Sequence, residues 1–401
     1  MKIGLIRERK QPVDMRVALT PDQCSRLMAA FPDLEIVVES SPDRRFTDPE
    51  YRGCGVKVCD SVADCEVLLG IKEVPKQFLI PGKRYLFFSH TIKKQPHNRE
   101  MFQTILSKKI ELTDYECLNA ANGSRILGFG RWAGIIGTYN AFLTWGKRQA
   151  TYQLKPAWQC FDLAELKTQL QKIRPGKIKI ALTGNGRVAH GALEVLTMLN
   201  FRWVTPADFL TETFDEPVYT NLKNKNLYRR KDGKPWDRKD FFGNHGNYES
   251  IFKPYLSEID LLINGFYWEP DMAPLFQKED TKRDDFKIQV IADITCDVDG
   301  SIPVTVKSTT ITDPVFGWDR QNQRICDPHI TNSIDIMAVS NLPAELPRDA
   351  SEDFGSDIAK HIIPMLMNND PDGILERGTL TRNGKLNKGY TYLAEYGNLS
   401  G

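Results

Sequence analysis

Residues 177–199 read KIKIALTGNGRVAHGALEVLTML. The opening residues form a short apolar run rich in isoleucine. After the glycines, apolar side chains recur at helical spacing. The segment therefore predicts a strand, a tight turn and a helix. Its turn, Gly184 to Ala189, fits the pattern G-x-G-x-x-G/A. The first glycine permits the turn, the second lets the backbone approach a pyrophosphate, and the third small residue lets helix and strand pack closely. Unpaired amides at the helix N-terminus suit a phosphate. Such a string alone is weak evidence; the strand before it and the helix after it favour a dinucleotide site. Its candidate residues are Gly184, Gly186, Arg187, Val188 and Ala189.

The next strand should end about 20 residues on, usually with an acid that binds the ribose hydroxyls of NAD. Here "FRWVTPADF", residues 201–209, places Thr205 at that end, and Asp208 lies beyond a proline. A missing acid removes repulsion against a 2′-phosphate, and Arg187 and Arg202 are near in sequence. The cofactor expected is NAD(P), with a lean to NADP.

On the N-terminal side, "KIGLI", "LEIVVE", "EVLLGI", "YLFFSH" and "KIELTDY" alternate with helical patterns between residues 2 and 115. Runs apolar on both faces, interleaved with helices, predict a parallel sheet covered on both sides. Residues 131–149 read as one long helix leading into the glycine-turn unit. "NSIDIMAVSN", 332–341, reads as a return helix, followed by a proline-punctuated turn and a final helix. Residues 212–250 are polar, basic and glycine-containing, and read as a solvated surface insertion.

In a parallel sheet, ligands bind beyond the carboxyl ends of the strands. "VLLGIKEVP", 67–75, runs out into Lys72 and Glu73, and "RYLFFSHTIKKQ", 84–95, into His90. Glu116 follows a third such run. Arg16 precedes "ALTP" and Arg125 lies in "NGSRILGFG". Histidine exchanges protons near neutral pH, and a lysine can do so when burial or a nearby cation lowers its pKa. Arginine forks suit carboxylate substrates. The set points to proton transfer on a carboxylate-bearing substrate.

Composition bounds the rest. A chain of 401 residues exceeds one hydrophobic core, so two domains are expected. A net charge of +1 gives no reason to expect nucleic acid or an anionic membrane. The sequence has no run of about 18 apolar residues and no signal-peptide pattern, so a cytoplasmic location is expected. The eight cysteines include no C-x-x-C and no zinc spacing, and read as buried thiols.

"GIKEVP", "FFSHTIKKQ", "TDYECL", "GFGRWAGIIG", "LINGFYWE", "ADITCDVDGSI" and "NLPAELPRDASEDFG" together resemble the lysine-forming saccharopine dehydrogenase family. Within it they are most similar to the lysine–ketoglutarate reductase part of aminoadipic semialdehyde synthases. "RVALTP" and "NLP" carry a more distant likeness to alanine dehydrogenase and the transhydrogenase N-terminal region. The resemblance implies an α/β fold of two Rossmann-like domains with parallel sheets around a central cleft. One would be discontinuous, 1–135 plus 345–401, and the other would span 136–344. It implies reversible, NAD(P)-linked condensation of lysine with 2-oxoglutarate to saccharopine, with no metal. Lys72 and His90 match the family's catalytic pair, and Glu73 and Glu116 its tuning carboxylates. Arg16, Lys93 and Arg125 match its substrate-carboxylate cations, and Asp14 an acid of the substrate site. Asp297 falls where alanine dehydrogenases keep a functional aspartate. One departure is Ser340, where the family carries aspartate. No protein partner is evident. A related amino-acid or opine dehydrogenase, or a dinucleotide-binding sensor without catalysis, are the alternative readings.

Overall fold

The apolar runs of the N-terminal region form six short parallel strands: β1 (Lys2–Leu5), β2 (Glu35–Glu39), β3 (Lys57–Cys59), β4 (Val67–Leu69), β5 (Arg84–Phe87) and β6 (Glu111–Asp114). The computed structural model describes residues 1–399. In it these strands belong to a unit made of Met1–Phe129 and the chain from Pro347 onward; Gly130–Leu346 form a second unit.

The C-terminal tail adds β17 (Thr379–Arg382) and β18 (Lys385–Leu386) to the first sheet, giving the order β18-β17-β6-β5-β4-β1-β2-β3. Only the pairings that β17 makes, with β6 and with β18, are antiparallel. Both faces are apolar, as a covered sheet requires. Ile3, Leu5, Val67, Leu69 and Leu86 point into one core, which Phe354, Ile358 and Ile362 complete. Val37, Leu68, Tyr85, Phe87 and Leu112 point into the other, beneath Phe102 and Ile105 of the helix Arg99–Ser107. The helix Pro21–Ala30 starts where its sequence says it should. Thr20 and Gln23 cap each other reciprocally and Pro21 opens the first turn. The chain leaves β1 towards β2 and β3 on one side and returns to β4 on the other. The exits of β1 and β4 therefore flank the switch point of the sheet, the usual ligand position.

The second unit's sheet has the order β15-β14-β16-β13-β12-β7-β9-β8. Its strands are β7 (Lys179–Thr183), β8 (Arg202–Trp203), β9 (Val218–Leu222), β12 (Leu261–Asn264), β13 (Val290–Asp293), β14 (Val315–Asp319), β15 (Arg324–Cys326) and β16 (Ser333–Met337). A separate two-stranded ribbon joins β10 (Tyr228–Arg230) to β11 (Tyr248–Ser250). Strand β14 pairs antiparallel with both β16 and β15, and the other pairings of the sheet are parallel. The helix Gly130–Gln149 meets the helix Arg187–Met198 backbone to backbone. A Cβ at Gly134 would lie 1.9 Å from the Val188 carbonyl oxygen, and one at Gly191 would lie 1.9 Å from that of Arg131. Among the described residues, no helix is long and apolar enough to cross a membrane.

Two expectations are corrected. The return helix expected over 332–341 is instead the buried strand β16, inserted between β13 and β14. Its short apolar run fits either period. Asp335 tolerates an inner strand because Arg148 and the His329 ring hold its carboxylate, at 3.0 and 2.6 Å. The expected surface insertion at 212–250 contains an inner strand, β9, and buries Tyr228, Phe241 and Tyr248. Its charged residues dilute the composition while its aromatic residues reach the core.

Candidate active site and dinucleotide site

In the first unit, the exits of β1, β4, β5 and β6 carry the titratable groups. Glu73 is buried at the end of β4 and holds three donors. Lys10 Nζ lies 2.6 Å from Oε2, His90 Nδ1 lies 2.7 Å from Oε1, and Asn98 Nδ2 lies 3.5 Å from Oε1. Burial alone would raise the Glu73 pKa; the bonds to His90 and Lys10 outweigh it and bring the carboxyl down to about 2. It is therefore a standing anion. His90 sits in the left-handed region at φ +51°, uncommon for a residue with a Cβ, and its ring stacks on Phe88. A strained backbone at a strand exit persists when the surroundings fix it; here the Glu73 bond and the Phe88 ring do so.

Lys72 is half-buried beside this anion. Burial first, and Arg16 second, lower its pKa, while Asp14 and Glu73 oppose them. Among the described residues Lys72 enters no ion pair. A lysine whose ammonium form is disfavoured, with anions near but not bound, can both take and give a proton.

Asp14 and Arg16 are both buried and paired with each other. Arg16 Nε and Nη2 donate to Asp14 at 2.9 and 2.6 Å, and the guanidinium lies over the Phe129 ring, 4.0 Å from its centroid. Burial works against the Asp14 charge, but Arg16 wins and holds the carboxyl below its ordinary range. Arg16, expected to meet a substrate carboxylate, holds the Asp14 carboxylate in this structure. A buried pair fixed in this way acts on the site chiefly through its field on Lys72, and breaking such a pair typically costs about 3–5 kcal/mol.

Glu116, Lys93 and Arg125 form a second, more open group. Arg125 Nη2 donates to Glu116 Oε1 at 3.2 Å, and Lys93 Nζ lies 3.8 Å from the same atom. Both cations are exposed, whereas Glu116 Oε2 is buried without a donor. Glu116 borders a cavity of about 890 Å³, lined also by Asn119, Arg377 and Tyr390. The charges acting on Lys72 come from Arg16, Asp14, Glu73 and Lys10, so Glu116 belongs to this second group.

Sequence reading missed Glu8. It is buried beyond β1, and its carboxylate accepts the backbone amides of Ile71 at 2.6 Å and Lys72 at 3.0 Å. Burial and Asp14 push its pKa up to about 8. Gly70 makes room for it, since a Cβ there would lie 3.3 Å from Glu8 Oε1. Glu8, Lys10 and Asn98 carried no motif. Only the pairing of β1 with β4 reveals that "RERK" faces "IKE".

In the second unit the glycine turn fits a dinucleotide. Gly184 has φ +99°, and a Cβ there would strike the Gly265 carbonyl oxygen at 2.6 Å. Above Gly186 the space is open, since an added Cβ meets nothing within 4 Å. Gly186 caps the helix Arg187–Met198 with no side-chain bond, so no capping side chain takes up the first amides of the helix, which suits an anion. Asp297 lies in an exposed turn after β13. Thr205 is not on the strand beside β7. It follows β8 at the sheet edge, where its hydroxyl accepts from the Asp208 amide at 3.1 Å and caps the helix Pro206–Thr211.

Residues 4–136 match the family model "Alanine dehydrogenase/PNT, N-terminal domain". The chain is 28% identical over 440 residues to alpha-aminoadipic semialdehyde synthase of Arabidopsis thaliana, covering 98% of this chain and 41% of that protein. It is 28% identical over 443 residues to the mitochondrial enzyme of that name from Mus musculus, covering 98% and 47%. With the NAD(+), L-lysine-forming saccharopine dehydrogenase of Candida glabrata it shares 23% over 388 residues, covering 90% and 93%. The chain is thus similar along nearly its whole length to lysine-forming saccharopine dehydrogenases and to part of the aminoadipic semialdehyde synthases. It spans less than half the length of the synthases. Among solved structures, an L-alanine dehydrogenase superposes with a TM-score of 0.66 at 16% identity, covering 100% of both chains. A transhydrogenase from Sinorhizobium meliloti superposes at 0.60 and 14%, covering 96% and 100%. These two likenesses show a Rossmann-type fold. The relatives together support an oxidoreductase of the amino-acid dehydrogenase type that uses a nicotinamide cofactor.

Proposed function

We propose that this chain catalyses the lysine-forming saccharopine dehydrogenase reaction, the reversible condensation of L-lysine with 2-oxoglutarate and reduction of the resulting imine to saccharopine. The observation that carries the reading is Lys72: a half-buried amine with a lowered pKa, outside any ion pair of the described residues, beside a fixed His90–Glu73 couple.

In the condensing direction, the substrate ε-amine must lose a proton before it attacks the keto carbon. The carbinolamine then loses water to give the imine. His90 is assigned acid–base work on the carbinolamine oxygen, because its Nδ1 is committed to Glu73 and its tautomer is thereby set. Lys72 is assigned the proton on the substrate nitrogen. Glu73 and the Asp14–Arg16 pair set the field in which Lys72 titrates. Arg125 and Lys93 are assigned to substrate carboxylates, and Glu116, with one buried oxygen lacking a donor, to the substrate cation. Gly184, Gly186 and the amides of Arg187–Ala189 would hold the dinucleotide pyrophosphate. A reduced nicotinamide, when bound, supplies the hydride for the imine carbon.

The likeness to alanine dehydrogenase carries a second reading, amination of a small 2-oxo acid by ammonia. Oxidation of NADPH and NADH followed spectrophotometrically separates the two. Turnover that requires lysine and 2-oxoglutarate together supports the proposal. Turnover with pyruvate and ammonia, and none with lysine, replaces it with the second reading.

A further inference from the structure

In a dinucleotide-binding sheet, the adenosine ribose is read at the carboxyl end of the strand beside the one that carries the glycine turn. In most chains that neighbour is the next strand in sequence. Here it is not. Helix Arg187–Met198 leads to β8, but β8 lies at the edge of the sheet; β9 has moved between β7 and β8. The register is direct, with Thr183 of β7 opposite Leu222 of β9.

The exit of β9 is bonded to the phosphate turn itself. The Gly184 amide donates to the Leu222 carbonyl at 2.9 Å, and Asn221 Nδ2 donates to the Gly184 carbonyl at 2.9 Å. The next residue is Lys223. It is exposed, and among the described residues it enters no ion pair. Thr205 is one strand further out, roughly 10 Å from β7 by ordinary strand spacing. Its hydroxyl is engaged with Asp208, accepting from the amide and donating to Oδ2 at 2.8 Å.

We infer that Lys223, at the exit of β9, is the residue by which this chain selects a 2′-phosphorylated dinucleotide over the unphosphorylated one. A lysine there offers a mobile ammonium to a phosphate and has no carboxylate with which to bind ribose hydroxyls. The inference rests on the dinucleotide reading of the glycine turn and names the group that discriminates at it.

The test measures dissociation constants of NADPH and NADH by quenching of protein fluorescence, for the parent chain and for Lys223→Ser, Lys223→Asp and Thr205→Asp. Aspartate is itself a good helix cap, so Thr205→Asp keeps the turn that Thr205 makes. The parent should bind NADPH the more tightly. Lys223→Ser should weaken NADPH by roughly tenfold or more, the worth of one charge-assisted bond, and leave NADH within about twofold. Lys223→Asp should reverse the preference, and Thr205→Asp should leave it unchanged. A parent that favours NADH overturns the inference. So does an unaltered ratio in Lys223→Ser, whether both affinities hold or both fall, and so does a ratio that moves with Thr205→Asp. In these cases binding of either dinucleotide leaves the glycine-turn reading standing. If the parent binds neither, that reading falls as well.

Discussion

The strand exits of the first unit and the glycine turn of the second are held by different means. Around Lys72, side chains from separate stretches fix one another: Lys10, His90 and Asn98 on Glu73, Arg16 on Asp14, Glu8 on the Lys72 amide. Around Gly184, fixing is done chiefly by backbone: a left-handed glycine bonded to Leu222, an open space over Gly186, and two helices in contact through Gly134 and Gly191, with Asn221 adding one side-chain bond. The first arrangement sets protonation states and should be sensitive to charge. The second sets shape and should be sensitive to volume.

The largest effect is expected at the centre of the charged site. Lys72→Met should lower kcat by roughly 10²–10⁴, with thermal stability close to the parent, because Lys72 enters no ion pair of the described residues. His90→Gln should fall in the same range. The double variant should lose less than the product of the single losses, since both serve one proton inventory. Steady-state kinetics beside a thermal melt checks this; full activity in Lys72→Met would reduce the strand exit to a surface feature.

Volume should break the other site. Gly184→Val places a branched side chain at φ +99° against the Gly265 carbonyl. Backbone strain of about 1–3 kcal/mol should weaken dinucleotide binding by roughly tenfold or more. Fluorescence titration reads it. A swap on the same turn that removes charge but adds no bulk, such as Arg187→Gln, should do less if shape governs.

At the open edge of the charged site, Arg125→Ala should raise KM for the 2-oxo acid by roughly tenfold and alter kcat by less than about threefold. Arg125 meets Glu116 from an exposed position and is assigned to orientation. A loss confined to kcat would place it in the chemistry instead.

The smallest effect sharpens the contrast within the second unit. Glu345 is a buried carboxyl bonded to Asn140 Nδ2 at 2.8 Å, and burial pushes its pKa up to about 8. A carboxyl raised on folding costs nothing below its ordinary pKa of 4.5, and stability falls as pH rises from there through about 8. Glu345→Gln should therefore raise the melting temperature by a few degrees at pH 9 and change it little at pH 4.5. Melts at both values decide it; an equal shift at each would show that ionisation is not the cause.

Lys72, Glu73, His90 and Glu116 were legible because each ends or follows an apolar run, and parallel strands release their last residues at one edge. The glycine turn was legible because its requirements are local: a positive φ, a close approach and a helix start all fall within six consecutive residues. Asp14–Arg16 was legible as two residue types, but not as a buried pair. Glu8 and Lys223 were not legible at all. Their neighbours are set by strand order, which places β1 against β4 and slips β9 between β7 and β8. Strand order is fixed by which apolar faces bury one another across the whole sheet. No window of sequence contains that information, because the hydrophobic term that settles it is non-directional and sums over residues far apart in the chain. The sequence by itself determined the residue types at the strand exits and the shape of the glycine turn; the tertiary structure decided which charges face Lys72 and which strand lies beside that turn.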